Sequence, residues 1–239
     1  MRFALLVGCL VVLSLGYPDA ANATTWLAGD LTTFTQSDWG DAPNGSNAAS
    51  LLDVNYATVY SSTLGLVEIG VPGAAGFSAL FTGSSQVLTY LPAAGTPGPF
   101  DSDLLNPTTT AAGTFGGEVL ALMLNIDFSD AGVTPHTATV HFGDLHLSGM
   151  TLAGLDGMTV RDFAATVNTL IGGGSAAYTI DELDPITGEL NAAFGAGEVS
   201  QFAQDHLQAP TSVRVPEPSS LALLVLGALG LGWTRWRRH

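Results

Sequence analysis

The sequence predicts an α+β protein with a β-rich front half, built as a small antiparallel sheet or sandwich, and a helical cluster in the back half. Three observations predict this arrangement. Threonine, serine, glycine and proline are frequent from residue 24 to 113, where helical periodicity is weak. Apolar residues recur at helical spacing in several segments of 114–215. The two ends of the chain are apolar, each with arginine beside the apolar run, which predicts flanking membrane-targeted segments.

The composition of the chain is strongly acidic. It has 21 aspartate and glutamate residues against 6 basic residues, all of which are arginine. Nucleic-acid binding depends on Lys and Arg neutralising phosphates, and this chain offers almost none outside its ends. The composition therefore excludes nucleic acid as a partner.

The first 23 residues have the pattern of a secretory signal peptide. Arg2 precedes an apolar run, and Ala21 and Ala23 form a small-x-small cleavage site. A lipoprotein box ending at Cys9 is an alternative, but it would leave a very short hydrophobic region. Cleavage after Ala23 implies a Sec-type export machinery and a signal peptidase as partners. Because it removes the single cysteine, the mature fold is expected to have no disulfides.

In the predicted β-rich exported region, 24–113, alternating apolar residues mark the strands. The stretch 54–60 alternates on one face and predicts a first strand, and 64–71 predicts a second after a Ser-Ser turn. The segment "GFSALFTGSS" adds a third strand. A short helix follows in "SSQVLTYLP", capped by Ser84 or Ser85.

A connector rich in proline, glycine and threonine separates this region from the mixed region with the helical cluster, 114–215. The apolar residues of the next segment fit both the two-residue period of a strand and the period of a helix. Its strong helix formers favour a helix from Glu118 to about Asn125. The segment "HTATVHFGDLHLSG" then predicts a strand pair or a bent strand.

Three helices are expected to complete the back half. Thr159 and Asp162 resemble a capping box at the start of the first, which Gly172 ends. The second either begins at Ile180 and kinks, or begins at Pro185 with Asp184 as its cap. The third is the short segment "VSQFAQDHL".

Five residues around the predicted strand pair are candidate metal ligands. Carboxylate oxygens suit calcium, and histidines suit zinc or copper. However, no Asp-x-Asp-x-Asp-Gly loop is present, and five-residue spacing turns two of the histidines to opposite faces of a regular strand. We therefore expect no cofactor, with calcium as the open alternative. The candidates are Asp127, Asp130, His141, Asp144 and His146.

Common enzyme signatures are absent from the sequence. It has no His-Glu-x-x-His, no Gly-x-Ser-x-Gly and, without lysine, no Walker loop. Trp39, between two aspartates in a turn-rich stretch, is a candidate for stacking on a glycan. The expectation is a structural or binding protein without catalytic activity. An extracellular glycan hydrolase acting through two carboxylates, or a glycan-binding module around Trp39, is the alternative.

The C-terminal segment, 216–239, predicts a membrane anchor. From Ser219 to Trp233 the chain is apolar apart from its first two serines, and a span counted on to Trp236 is close to the ~20 residues that cross a bilayer. Arg235, Arg237 and Arg238 follow as a basic tail, which the positive-inside rule holds in the cytoplasm. A buried core helix is the alternative, but the arginines beside the apolar run disfavour it.

The triplet Pro216-Glu217-Pro218, the apolar run and the terminal arginines, in this order, resemble the PEP-CTERM protein-sorting domain. The resemblance covers about the last 25 residues and implies that an exosortase of a Gram-negative bacterium recognises the triplet. It further implies removal of the anchor from the cytoplasmic membrane and delivery to the cell surface or an extracellular matrix. Extracellular polysaccharide is then a candidate partner. A permanent anchor is the alternative if no such enzyme acts.

Overall fold

The computed structural model describes residues 25–210, which contain seven α-helices and five short strands. The predicted signal peptide at 1–23 and the predicted membrane helix at about 219–236 lie outside the described residues. Within 25–210, no helix combines the length and hydropathy needed to cross a membrane. The helices are α1 Gln36–Trp39, α2 Ala48–Val59, α3 Ser84–Tyr90, α4 Gly113–Asp130, α5 Val160–Ile171, α6 Ile180–Asn191 and α7 Gln201–His206. The strands are β1 Val67–Gly70, β2 Ser78–Phe81, β3 Leu104–Leu105, β4 His146–Leu147 and β5 Leu207–Gln208.

Helix α2 occupies the stretch where the first strand was predicted. The side chain of Asn47 caps its first turn by accepting a hydrogen bond from Ser50 N at 3.1 Å. Leu52 and Tyr56 are buried four residues apart, whereas Val54 between them is 78% exposed. Burial therefore recurs every four residues along this stretch, as in a helix, and not at every second residue, as in a strand. The predicted strand is wrong, and so is the β-rich character of 24–113, which contains three helices.

The second and third predicted strands are confirmed as an antiparallel pair. Strand β1 pairs with β2 from Val67 opposite Phe81 to Gly70 opposite Ser78. The two-residue strand β3 adds to β2 in parallel. One face of the pair is buried in the core, as alternation predicts. The buried residues of this face are Val67, Ile69, Ala79 and Phe81.

Helix α4 runs through the middle of the core and contacts α1, α5, α6 and β1. The predicted helix from Glu118 to about Asn125 is confirmed, but it extends further at both ends. Most of its side chains are buried, so its sequence is apolar on all sides and fits a strand pattern as well. Its first turn is rich in glycine because neighbours approach closely: a Cβ at Gly117 would collide with Gln36 Oε1. Glycine's poor helix propensity hid this part of the helix from prediction.

The helices of the back half are confirmed. Thr159 Oγ1 accepts from Asp162 N at 3.0 Å at the start of α5. Helix α6 begins at Ile180 and continues through Pro185, so the start given by the first of the two alternatives is confirmed, whereas the kink stays a prediction. The Thr179 backbone N–H donates to Glu182 Oε2 at 2.8 Å, which explains acidic residues at this helix start without a metal.

The strand pair predicted in "HTATVHFGDLHLSG" is wrong except for β4. Residues Phe142–Asp144 form a 3-10 turn. Strand β4 pairs instead with β5, from His146 opposite Gln208 to Leu147 opposite Leu207. The partner strand is therefore supplied by residues some sixty positions away, which no local pattern reveals.

One hydrophobic cluster draws on both predicted regions of the exported body. It joins aromatic residues of the front region to others in the back region, with α4 between them. The largest fully buried aromatics of this cluster are Trp39, Phe81, Tyr90, Phe115, Phe128, Phe142, Phe163 and Phe194.

Candidate functional site

A cleft of about 620 Å³ opens where the end of α2, strand β1 and the C-terminal half of α4 meet. Its wall combines apolar side chains with hydroxyl and carboxyl groups. Three carboxylates line it, one from β1 and two from α4, and it has no lysine, arginine or histidine in its wall. The lining residues are Val59, Tyr60, Ser62, Thr63, Leu66, Val67, Glu68, Leu80, Met123, Asp127, Asp130 and Ala131.

Asp127 is the largely buried carboxyl group of this cleft. Tyr60 donates its phenolic hydrogen to Asp127 Oδ2 at 3.0 Å. Burial raises the pKa of Asp127 to about 6, and the nearby charge of Asp130 adds to this, while the hydrogen bond from Tyr60 opposes it. Burial, followed by the Asp127 charge, raises the pKa of Tyr60 well above its ordinary value. Asp127 can therefore hold or release a proton in mildly acidic solution, and Tyr60 stays protonated there.

The other two carboxylates of the cleft are solvent-exposed and held by partners. Glu68 Oε1 accepts a hydrogen bond from Ser78 Oγ at 2.7 Å. Both carboxylate oxygens of Asp130 accept hydrogen bonds from the terminal nitrogens of Arg161, at 2.9 and 3.0 Å. A carboxyl group whose pKa is raised by burial, beside exposed carboxylates, is a combination that suits a general acid. The cleft thus has the side chains for acid-base chemistry.

Arg161 gathers two of the predicted metal ligands around a guanidinium group. Besides Asp130, it donates to Asp144 Oδ1 at 3.1 Å. Hydrogen bonding to Asp130, and then to Asp144, raises the pKa of the guanidinium above its ordinary value. The permanently charged guanidinium of Arg161 therefore lies between Asp130 and Asp144, two of the predicted metal ligands.

The two predicted histidine ligands, His141 and His146, each lie beside a backbone carbonyl. His141 Nδ1 is 3.0 Å from Ser129 O, and His146 Nδ1 is 3.0 Å from Gly157 O. Within 25–210, no group of three or more His, Cys, Asp or Glu side chains is arranged to hold a metal ion. The structure does not bring the five candidates together, and calcium binding stays a prediction.

The structure buries Trp39, the candidate for stacking on a glycan. The capping box of Thr35 and Asp38 starts α1 and turns the indole into the core, where it is fully buried. Its ring meets Phe34 and Phe128 edge to face, with centroids 5.0 and 5.1 Å apart. In this position Trp39 offers no surface on which a sugar could stack.

The partner of Trp39, Asn125, was not identified by the sequence analysis. Asn125 is fully buried in α4, and its Oδ1 accepts from Trp39 Nε1 at 3.2 Å. A lone asparagine within "LALMLNIDF" was the available signal, since a polar residue in an apolar helix needs partners. The Tyr60–Asp127 pair was missed as well, because it joins residues 67 positions apart, which no local pattern reveals.

Comparison with known proteins finds similarity in one segment. A family described as the PEP-CTERM protein-sorting motif matches residues 214–238. No curated protein and no solved structure matches the chain. The matched segment contains the triplet Pro216-Glu217-Pro218, the apolar run and the terminal arginines, all outside the described residues. The chain therefore carries a C-terminal PEP-CTERM sorting motif, which marks an exosortase-targeted protein exported by a Gram-negative bacterium.

Proposed function

We propose that this protein is a surface or extracellular-matrix component whose folded body, after transient anchoring in the cytoplasmic membrane, acts by binding or as a structural element and not as an enzyme. The observation that carries the proposal is the sorting motif at 214–238, which begins only a few residues after the folded body. The anchor predicted at 219–236 holds the protein until the exosortase acts at Pro216-Glu217-Pro218.

The body has an acidic composition, which suits binding in an extracellular matrix. Its acidic surface keeps it soluble and attracts cations, including those that bridge acidic polysaccharides. Polysaccharide of the matrix is the proposed partner.

A substitution in the sorting triplet tests this proposal. Glu217→Ala removes the carboxylate of the triplet, and we expect the variant to accumulate in the cytoplasmic membrane while the wild type reaches the surface or the medium. Glu198→Ala, at an exposed position of the body, is the matched control and should sort normally. Equal distribution of both variants would reject exosortase sorting through this triplet.

A second candidate function is glycan hydrolysis, which the carboxylate-lined cleft favours. Asp127, with its pKa of about 6, would act as the acid, and one of the exposed carboxylates as the base or nucleophile. The assay is release of reducing ends from the matrix polysaccharide between pH 4 and 8. Asp127→Asn should abolish release, and Asp205→Asn, at an exposed position of α7, should not. No release by the wild type would reject hydrolysis and leave the binding role.

A further inference from the structure

Asp184 in α6 carries a carboxyl group that neither the cleft nor a helix cap uses. Because α6 begins at Ile180, Asp184 lies inside the helix and does not cap it. Among residues 25–210, its Oδ1 is the one buried side-chain oxygen or nitrogen without a hydrogen-bond partner. Buried polar groups nearly always have such a partner, since burial without one costs free energy. The unpaired oxygen of Asp184 therefore marks a group whose protonation matters to the fold.

The carboxylate of Glu118, from α4, lies against the same face of α6. Asp184, Gly188 and Asn191 are four and three residues apart, so they project from one side of the helix. Asn191 Nδ2 donates to Glu118 Oε2 at 2.7 Å. A Cβ on Gly188 would lie 3.9 Å from Glu118 Cδ, which is van der Waals contact. Glu118 is therefore held beside the turn of α6 that follows Asp184.

Amide donors serve Glu118 and leave Asp184 without one. Gln36 Nε2 donates to Glu118 Oε1 at 2.8 Å, and Asn191 occupies the other oxygen. Oδ1 of Asp184 receives no such donor from residues 25–210. Two ionised carboxylates facing each other across a helix interface repel, and a proton on one of them removes this repulsion. Because the donors hold Glu118, Asp184 is the group of the pair that takes the proton.

The charges around Asp184 act in the same direction as its burial. Burial raises the pKa of Asp184 above its ordinary value, and the charges of Glu118 and Asp181 raise it further. Glu118 faces it from α4, and Asp181 lies one turn earlier on α6. The charged side chains of α5 and α7, which also pack against α6, are engaged with other partners. They are Arg161, Asp162, Asp205 and His206.

We propose that Asp184 and Glu118 form a proton-dependent latch between α6 and α4, which holds the two helices together when Asp184 is protonated and lets α6 open more often when both groups are ionised. Pro185 favours opening at this point, because it has no N–H and removes a hydrogen bond from the helix. Since the pKa of Asp184 is raised in the folded body, the latch is complete below about pH 4 and is lost as pH rises through the raised value. It depends neither on sorting nor on a ligand.

Hydrogen exchange of the backbone amides of α6 measures the latch. The chain without its predicted signal peptide, 24–239, is kept in detergent and compared with Asp184→Asn at pH 4 and at pH 7. Rates are compared at the same pH, so the intrinsic pH dependence of exchange cancels. The substitution places an uncharged side chain beside Glu118. We therefore expect α6 to exchange about three- to tenfold more slowly than in the wild type at pH 7, and within about twofold of it at pH 4.

Glu189→Gln is the matched control, because it removes an exposed carboxylate from the same helix. It should leave exchange of α6 at the wild-type rate at both pH values. The amides of α2, which packs against α1 and α3, are the internal reference. Equal α6 rates for wild type and Asp184→Asn at pH 7, an equally large slowing at pH 4, or the same slowing by Glu189→Gln would overturn the proposal. Equal slowing in α2 would assign the effect to the stability of the whole body and would overturn it as well.

Discussion

Replacing Asn125 with alanine removes a side chain that makes four hydrogen bonds inside the core. Its Nδ2 donates to Phe34 O at 2.8 Å and to Asn191 Oδ1 at 3.0 Å. Its Oδ1 accepts from Phe34 N at 2.9 Å and from Trp39 Nε1 at 3.2 Å. These bonds use the whole hydrogen-bonding capacity of an asparagine. The side chain thereby ties α1, α4 and α6 together.

The cost of this substitution follows from the burial of the partners. Trp39 and Asn191 are both fully buried, so water cannot replace the lost bonds. Each buried polar group left unpaired costs about 1–3 kcal/mol. Phe34 is only partly buried and recovers some of its bonding with water. We therefore expect Asn125→Ala to lower the free energy of unfolding by about 2–6 kcal/mol, a large part of the stability of an ordinary domain.

Urea unfolding of the exported body, residues 24–216, followed by far-UV circular dichroism, measures this loss. Asn55→Ala on α2 is the control, because the hydrogen bond that Asn55 makes to Leu51 O, at 2.9 Å, lies within its own helix. The control should change the free energy of unfolding by no more than about 0.5 kcal/mol. If Asn125→Ala lowers the free energy of unfolding by less than about 1 kcal/mol, with an unchanged dependence on urea concentration, the role assigned to the hydrogen bonds of Asn125 is refuted.

Three further substitutions probe other parts of the fold, each followed by urea unfolding. Because its pKa is raised to about 6, Asp127 stabilises the fold most below its unfolded pKa near 4, and this stability is lost as pH rises through 6. The free energy of unfolding of Asp127→Asn, relative to that of the wild type, should thus be about 1–3 kcal/mol higher at pH 7 than at pH 4. A difference that does not change with pH would contradict this. Thr159→Ala removes the cap of α5 and should cost about 1 kcal/mol, whereas a neutral effect would argue against the cap. Gly117→Ala should cost about 1–3 kcal/mol by displacing Gln36, and a stabilising effect would show that the helix start has room.

The parts of the fold that sequence reasoning predicted are those specified by neighbouring residues. Helix α5 was predicted because Thr159 caps it and its apolar stripe is regular. Strands β1 and β2 were predicted from short segments of the chain, although their pairing with each other was not. Helix α2 was missed because Val54, Tyr56 and Thr58 happen to alternate in type, while burial follows positions four apart.

The features that sequence reasoning missed depend on contacts between distant segments. Trp39 is flanked by polar residues, and its burial results from packing against α4 across some ninety positions. The Tyr60–Asp127 pair likewise joins residues 67 positions apart. Two predicted metal ligands, Asp130 and Asp144, do meet, but Arg161 from a third segment brings them together. A list of acidic residues in the sequence does not reveal which cation lies between them.

Mass spectrometry of both termini, on protein taken separately from membranes and from the extracellular matrix of the native cells, tests the central claim most directly. We expect a matrix form that begins at Thr24 and ends near Pro216. We also expect a membrane form that retains Arg237 and Arg238. Protein found only in membranes, with the basic tail intact, would mean a permanent anchor and would contradict delivery to the surface or matrix.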